Sequence, residues 1–140
     1  MNITYFEMNR ILNHVFNGGT GGSHVYTSGS LYLGLSTTDI TISGGGLSEP
    51  STAYGYARVN LPNKTTTWSV STIGEVENLS DISFPESSQS WGTIHAVFLA
   101  SGSSTTSGCV CYVHNVAPFT VAGAMTVSFS SGSVIVSMES

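Results

Sequence analysis

Leu31-Tyr32-Leu33-Gly34-Leu35-Ser36 decides how the rest of this chain is read. Side chains of an extended strand point alternately to opposite faces, so Leu31, Leu33 and Leu35 form one apolar face. The same texture continues beyond Gly22 as short alternating runs, broken by Gly, Ser, Asn and Pro at intervals of roughly 8 to 12 residues. Further strands are expected at Ala57–Leu61, Thr67–Ser71, Ile82–Phe84, Thr93–Leu99, Val110–Val116, Thr126–Ser130 and Val134–Met138. Ala96-Val97-Phe98-Leu99-Ala100 is apolar on both faces, which suits a central strand. Val134, Val136 and Met138 alternate with Ile135, Ser137 and Glu139, as in a terminal strand with one dry face. The fold class expected is mainly β, an antiparallel β-sandwich of jelly-roll or immunoglobulin-like type.

Ahead of the strands stands one helical signal. Thr4-Tyr5-Phe6-Glu7 has the form of a capping box, in which the hydroxyl and the carboxylate each satisfy an orphan N–H of the first turn. Met8, Ile11, Leu12 and Val15 follow helical spacing, Phe16 extends the stripe, and Asn17-Gly18-Gly19 stops it. The pattern predicts an N-terminal amphipathic α-helix over 4–17, attached to a β-sandwich from about residue 23 to 140 in a single domain. Its apolar stripe has to be covered, either by the chain's own sheet or by a neighbouring subunit. Met8, Ile11, Leu12, Val15 and Phe16 are therefore the candidate assembly interface.

Composition removes whole classes of function. Charged residues make up 8% of the 140 residues, against about 25% in an ordinary soluble domain. Forty residues are Ser or Thr and 16 are Gly, so the surface is neutral and hydroxylated. With a net charge of −5 and only Arg10, Arg58 and Lys64 as Lys or Arg, no phosphate-neutralising surface is possible, which excludes nucleic acid and anionic membranes as partners. No apolar run is long enough to cross a bilayer, so no membrane insertion is expected. The stretch from Met1 to Phe16 carries Glu7 within its apolar part and lacks a basic leader, so synthesis in the cytoplasm with reduced cysteines is expected.

Candidate chemistry is sparse. Cys109, Cys111 and His114 form a C-x-C-x2-H pattern, but a closed zinc site needs four ligands and there is no second cysteine pair. The cysteines read as small strand residues, and no metal is expected. His14, His24, His95 and His114 share no metalloprotease spacing, no G-x-S-x-G elbow occurs, and Asp39, Glu75, Glu77, Asp81 and Glu86 include no adjacent acid–base pair. The Gly44-Gly45-Gly46 and Gly18-Gly19-Thr20-Gly21-Gly22 tracts lack the flanks of a phosphate loop. The chain is expected to be neither an enzyme nor a cofactor carrier. The long loop from Thr37 to Tyr56 stands out, and Tyr54 and Tyr56 at its end are the candidate ligand-binding residues, rings that could lie against a sugar face. The competing reading makes them, with Trp68 and Trp91, anchors of the core.

Several stretches in collinear order resemble the small tail-fibre-like virion proteins of tailed bacteriophages. Leu31-Tyr32-Leu33-Gly34-Leu35-Ser36-Thr37-Thr38-Asp39 is similar to that family's L-Y-(L/V)-(G/A)-L-x-T-x-D-P. Gly46-Leu47-Ser48-Glu49-Pro50 and Gly55-Tyr56-Ala57-Arg58 resemble its Gly-rich bend and G-G-Y-A-R. Ile82-Ser83-Phe84-Pro85 and Ser90-Trp91-Gly92-Thr93-Ile94-His95 resemble its I-T-F-P and W-G-T-V-T-H, and Val121 to Met138 its closing hairpin. Ile40 departs from the family's proline, and Cys109 to Tyr112 from its leucine-rich strand. The resemblance implies a virion structural protein with no catalytic residues. It would be a homo-oligomer, expected as a trimer, acting as a tail, collar or fibre component with other virion proteins as partners. The alternatives are a capsid decoration protein and a module binding a host-surface glycan.

Overall fold

A computed structural model describes residues 11–13, 15–16, 30–41, 43, 45–104 and 110–138, with 110 and 111 described by backbone alone. The alternation produces β1 (Ser30–Ser36), β2 (Val59–Pro62), β3 (Glu75–Glu77), β4 (Ile82–Ser83), β5 (Gly92–Ala100), β6 (Val110–Val121), β7 (Ser128–Phe129) and β8 (Ile135–Ser137). Pairings β1–β5, β5–β6 and β3–β8 are antiparallel, so the chain is mainly β with antiparallel sheets, as expected. Residues 11–13 and 15–16 are helical, inside the helix expected over 4–17. The rest of that expectation, including its capping box, lies outside the described residues. The chain divides into two compact units, one from Met1–Ser30, Leu61–Ile82 and Phe129–Ser140, the other from Leu31–Asn60 and Ser83–Ser128.

A four-stranded sheet runs in the order β2-β1-β5-β6, with β1, β5 and β6 in the second unit. β5 lies inside that order, the place its two apolar faces require. Its register against β1 runs from Tyr32 opposite Ala100 to Ser36 opposite Ala96. Leu31, Leu33 and Leu35 are all buried, as their shared face predicts. β6 continues to Val121, five residues past the expected end at Val116, and its register against β5 jumps from Ala96 opposite Asn115 to Ile94 opposite Phe119. The jump leaves 116–118 outside the ladder, where a residue without an N–H does no harm. On one side of β5, Ala96, Phe98 and Ala100 pack with Ile40, and Leu47 and Val113 close over them.

Ile40 occupies its place through a side chain that copies a strand. Its N–H donates to Asn115 Oδ1 at 3.1 Å, and its carbonyl accepts from Asn115 Nδ2 at 3.3 Å. A proline at this position could not make the first of these bonds, so the departure at Ile40 is matched by Asn115.

In the first unit the helical stripe meets Trp68, which is fully buried and lies edge-on to Phe16 with ring centroids 4.6 Å apart. Asn13 fastens the same segment, its Oδ1 accepting from Ser71 N–H at 2.7 Å. The strand expected over Thr67–Ser71 is only a single bridge, Trp68 opposite Asn78, with Ser69 N–H donating to Glu77 O at 2.9 Å. The ladder forms instead at β3, whose lone apolar residue between two glutamates carries almost no hydrophobic signal. β3 pairs with β8, Val76 opposite Val136, and both valines are buried.

Asn78 ties the turn before β8 to β3. Its Nδ2 donates to Ser80 O at 2.7 Å and to Ser130 O at 3.0 Å, while its Oδ1 accepts from Val134 N–H at 2.8 Å. At 1% exposure these three bonds have no water to replace them. Asn78→Ala should therefore cost about 2–3 kcal/mol of stability, read as a lower urea midpoint at unchanged slope. An unchanged midpoint would show that the turn is held by other contacts.

Candidate functional site

The candidate site lies in the second unit and starts with the long loop that follows β1. Thr37 N–H donates to Ser48 O at 2.7 Å, the Thr37 hydroxyl reaches the same carbonyl at 2.9 Å, and Ser48 N–H returns to the Ser36 hydroxyl at 3.2 Å. Inside this closure Thr41 N–H donates to Gly45 O at 2.8 Å and the Thr38 hydroxyl donates to Gly46 O. Gly46 has φ +87°, and a Cβ there would stand 2.6 Å from Asp39 O, so only glycine fits the bend. Hydroxyl side chains, abundant in this sequence, thus replace strand pairing and deliver Glu49 to a fixed place.

Glu49 meets Arg58 in a bidentate pair, Nε donating to Oε1 at 2.8 Å and Nη2 to Oε2 at 2.9 Å. The two side chains are only 3% and 5% exposed. Arg58 Nη1 donates to Gly102 O at 2.7 Å, and the guanidinium lies 5.0 Å from the centre of the Phe98 ring. Phe98 in turn lies over Gly34, where any Cβ would overlap the ring. The Tyr56 hydroxyl donates to Glu49 Oε1 at 2.7 Å and accepts from Leu35 N–H at 3.0 Å. One carboxylate therefore joins the loop, the Tyr56–Arg58 segment and the β1–β5 pair.

Burial pushes the Tyr56 phenol far above its ordinary range, and the Glu49 carboxylate adds to the rise, while the Leu35 backbone and Arg58 oppose it. Its ring packs with Trp91 at 5.4 Å, edge to face, and with Phe84 at 6.2 Å, stacked. Tyr54 sits at the end of a short 3-10 turn, Thr52–Tyr54, is 37% exposed, and offers its carbonyl to Trp91 Nε1 at 2.9 Å. The two tyrosines paired as ligand candidates thus part company: Tyr56 is buried in an aromatic cluster, and Tyr54 keeps an accessible face. Beside the ion pair lies an open groove of about 380 Å³ walled by Pro50 and the hydroxyl residues Ser51, Thr52, Ser103 and Ser104.

Of the candidate assembly stripe, Leu12, Val15 and Phe16 are buried within the chain itself, Ile11 is half-buried, and Met8 lies outside the described residues. Cys109 is also outside them, Cys111 is described by backbone alone, and His114 is exposed. Among the described residues no group of three His, Cys, Asp or Glu could hold a metal ion, and no helix is long and apolar enough to cross a membrane.

A family model described as podophage GP4 fiber I protein gp80 matches residues 2–137. The chain belongs to this podophage fibre family. No curated protein matches it. The family is one of phage fibre structural proteins, in agreement with the collinear motifs, and those motifs now have physical meaning. In this fibre protein the Glu of Gly46-Leu47-Ser48-Glu49-Pro50 and the Tyr and Arg of Gly55-Tyr56-Ala57-Arg58 are parts of one brace. Glu49, Arg58, Phe98 and Asn115 were not among the candidate site residues. A usable signal existed, since an arginine kept in a chain with three basic residues has a partner or a task.

The sign of the pH dependence follows from Tyr56. An unfolded chain releases the phenol proton above its ordinary value of 10.0, whereas the folded chain holds it higher. Stability from this group is complete below that value and is lost as pH rises through it. Urea midpoints measured from about pH 9 to about pH 11 should fall, and Tyr56→Phe should flatten that fall. An equally steep fall in the variant would assign the effect to other tyrosines.

Proposed function

We propose that this chain is a building block of the tail, collar or fibre of a phage particle, a homotrimer with other virion proteins as neighbours and no catalytic role. The observation that carries the reading is the family match over residues 2–137. The interior supports it. The one ion pair with both side chains buried among the described residues is consumed in bracing a loop, with its donors and acceptors satisfied by Tyr56 and Gly102. A frame of hydroxyl-to-backbone bonds suits a part that has to keep its shape outside a cell. Tyr54 alone supports the saccharide alternative, because Tyr56 presents no open ring, so the assembly reading is preferred.

Size-exclusion chromatography with light scattering should give a discrete trimer of the purified chain at micromolar concentration. A stable monomer would contradict the assembly reading. In purified particles the copy number should follow tail symmetry, and a number that scales with the capsid lattice would favour the decoration alternative.

A further inference from the structure

The first unit carries a surface whose chemistry the fold does not use. In the β3–β8 ribbon Val76 and Val136 point inward, so Glu75, Glu77, Ile135 and Ser137 share the outer face. A β-branched residue there, opposite a glutamate, adds nothing to the core, yet Ile135 is 54% exposed. Two more large aliphatic residues join it: Val70 at 57% and Ile73 at 62% exposure. All three line one open groove of about 240 Å³, and Glu75 and Glu77 line it with them. Among the described residues neither glutamate has an ion-pair partner within 4.0 Å. Three of the six exposed large hydrophobic side chains of the described surface thus converge on one acidic groove. Scattered apolar residues need no explanation, whereas a convergent set rimmed by one sign of charge marks a contact surface.

Charge decides the occupant. A second copy of this chain brings a net charge of −5, its Arg58 is locked against Glu49, Lys64 is its one exposed Lys or Arg among the described residues, and an isologous contact at this groove would set four glutamates together. Nucleic acid and anionic membranes are repelled for the same reason. We infer that this groove docks an extended, basic and apolar polypeptide segment of a different protein, its aliphatic side chains against Val70, Ile73 and Ile135 and its cations on Glu75 and Glu77. The inference goes beyond the trimer and does not depend on it, since the groove belongs to one chain.

The test uses the full chain and three fluorescein-labelled ten-residue peptides as probes: alternating lysine and valine, alternating glutamate and valine, and alternating lysine and serine. Fluorescence anisotropy should show saturable binding of the lysine–valine peptide alone, weakening as salt is raised. Ile73→Ser, and separately Glu75→Gln combined with Glu77→Gln, should each weaken it by at least about tenfold, the scale set by losing one buried aliphatic side chain. These positions are exposed, so circular dichroism should show each variant folded like the parent chain. Equal binding of the glutamate–valine or lysine–serine peptide, or binding indifferent to Ile73→Ser, would overturn the inference. So would light scattering in which Ile73→Ser abolishes self-association, since the occupant would then be a second copy.

Discussion

The second unit depends on one buried carboxylate. Glu49 receives two bonds from Arg58 and one from Tyr56, and those donors are held by Phe98, Gly102 and Leu35. A buried ion pair adds little net stability, because desolvation offsets most of the attraction. What it fixes is position. Removing one partner strands a charge in the interior, so the loop carrying Glu49 and the segment carrying Arg58 are held at a single relative placement. That constraint complements the backbone and hydroxyl bonds that close the described part of the loop.

Much of the fold was legible because strand alternation and central-strand apolarity are local properties. Leu31 to Leu35 and Ala96 to Ala100 declare their faces without reference to anything distant. The errors came where pairing replaced pattern. β3 has one apolar residue between two glutamates and becomes a strand through β8, while Thr67–Ser71 has the better pattern and keeps a single bridge. β6 passes through Pro118 because the bulge removes the need for its N–H. The scarcity of cations marks Arg58, but its partners were illegible from one sequence: Glu49, Arg58 and Phe98 are brought together by tertiary structure, and nothing in their spacing says so. Tyr56 was read for its ring, yet its hydroxyl and burial set its role.

Scarcity of charge gives each charged residue weight. Arg58 is placed inside and neutralised, whereas Glu75 and Glu77 are left outside beside aliphatic side chains. Hydroxyl groups take over elsewhere, as in Ser87, which is fully buried and bonds Ala122 O at 2.6 Å and Met125 O at 3.1 Å. Few of the described surface features of this fibre-family protein could recognise a partner, which is why the acidic groove of the first unit stands out.

The central claim is that Glu49 and Arg58 act as one brace on the loop. A double-mutant cycle of Glu49→Gln, Arg58→Met and the double variant, read by urea denaturation and by amide exchange at Thr37, tests it most directly. Each single change should cost about 3–5 kcal/mol, the double change well under their sum, and Thr37 should lose protection in all three. Additive losses, or a Thr37 amide as protected as in the parent chain, would contradict it.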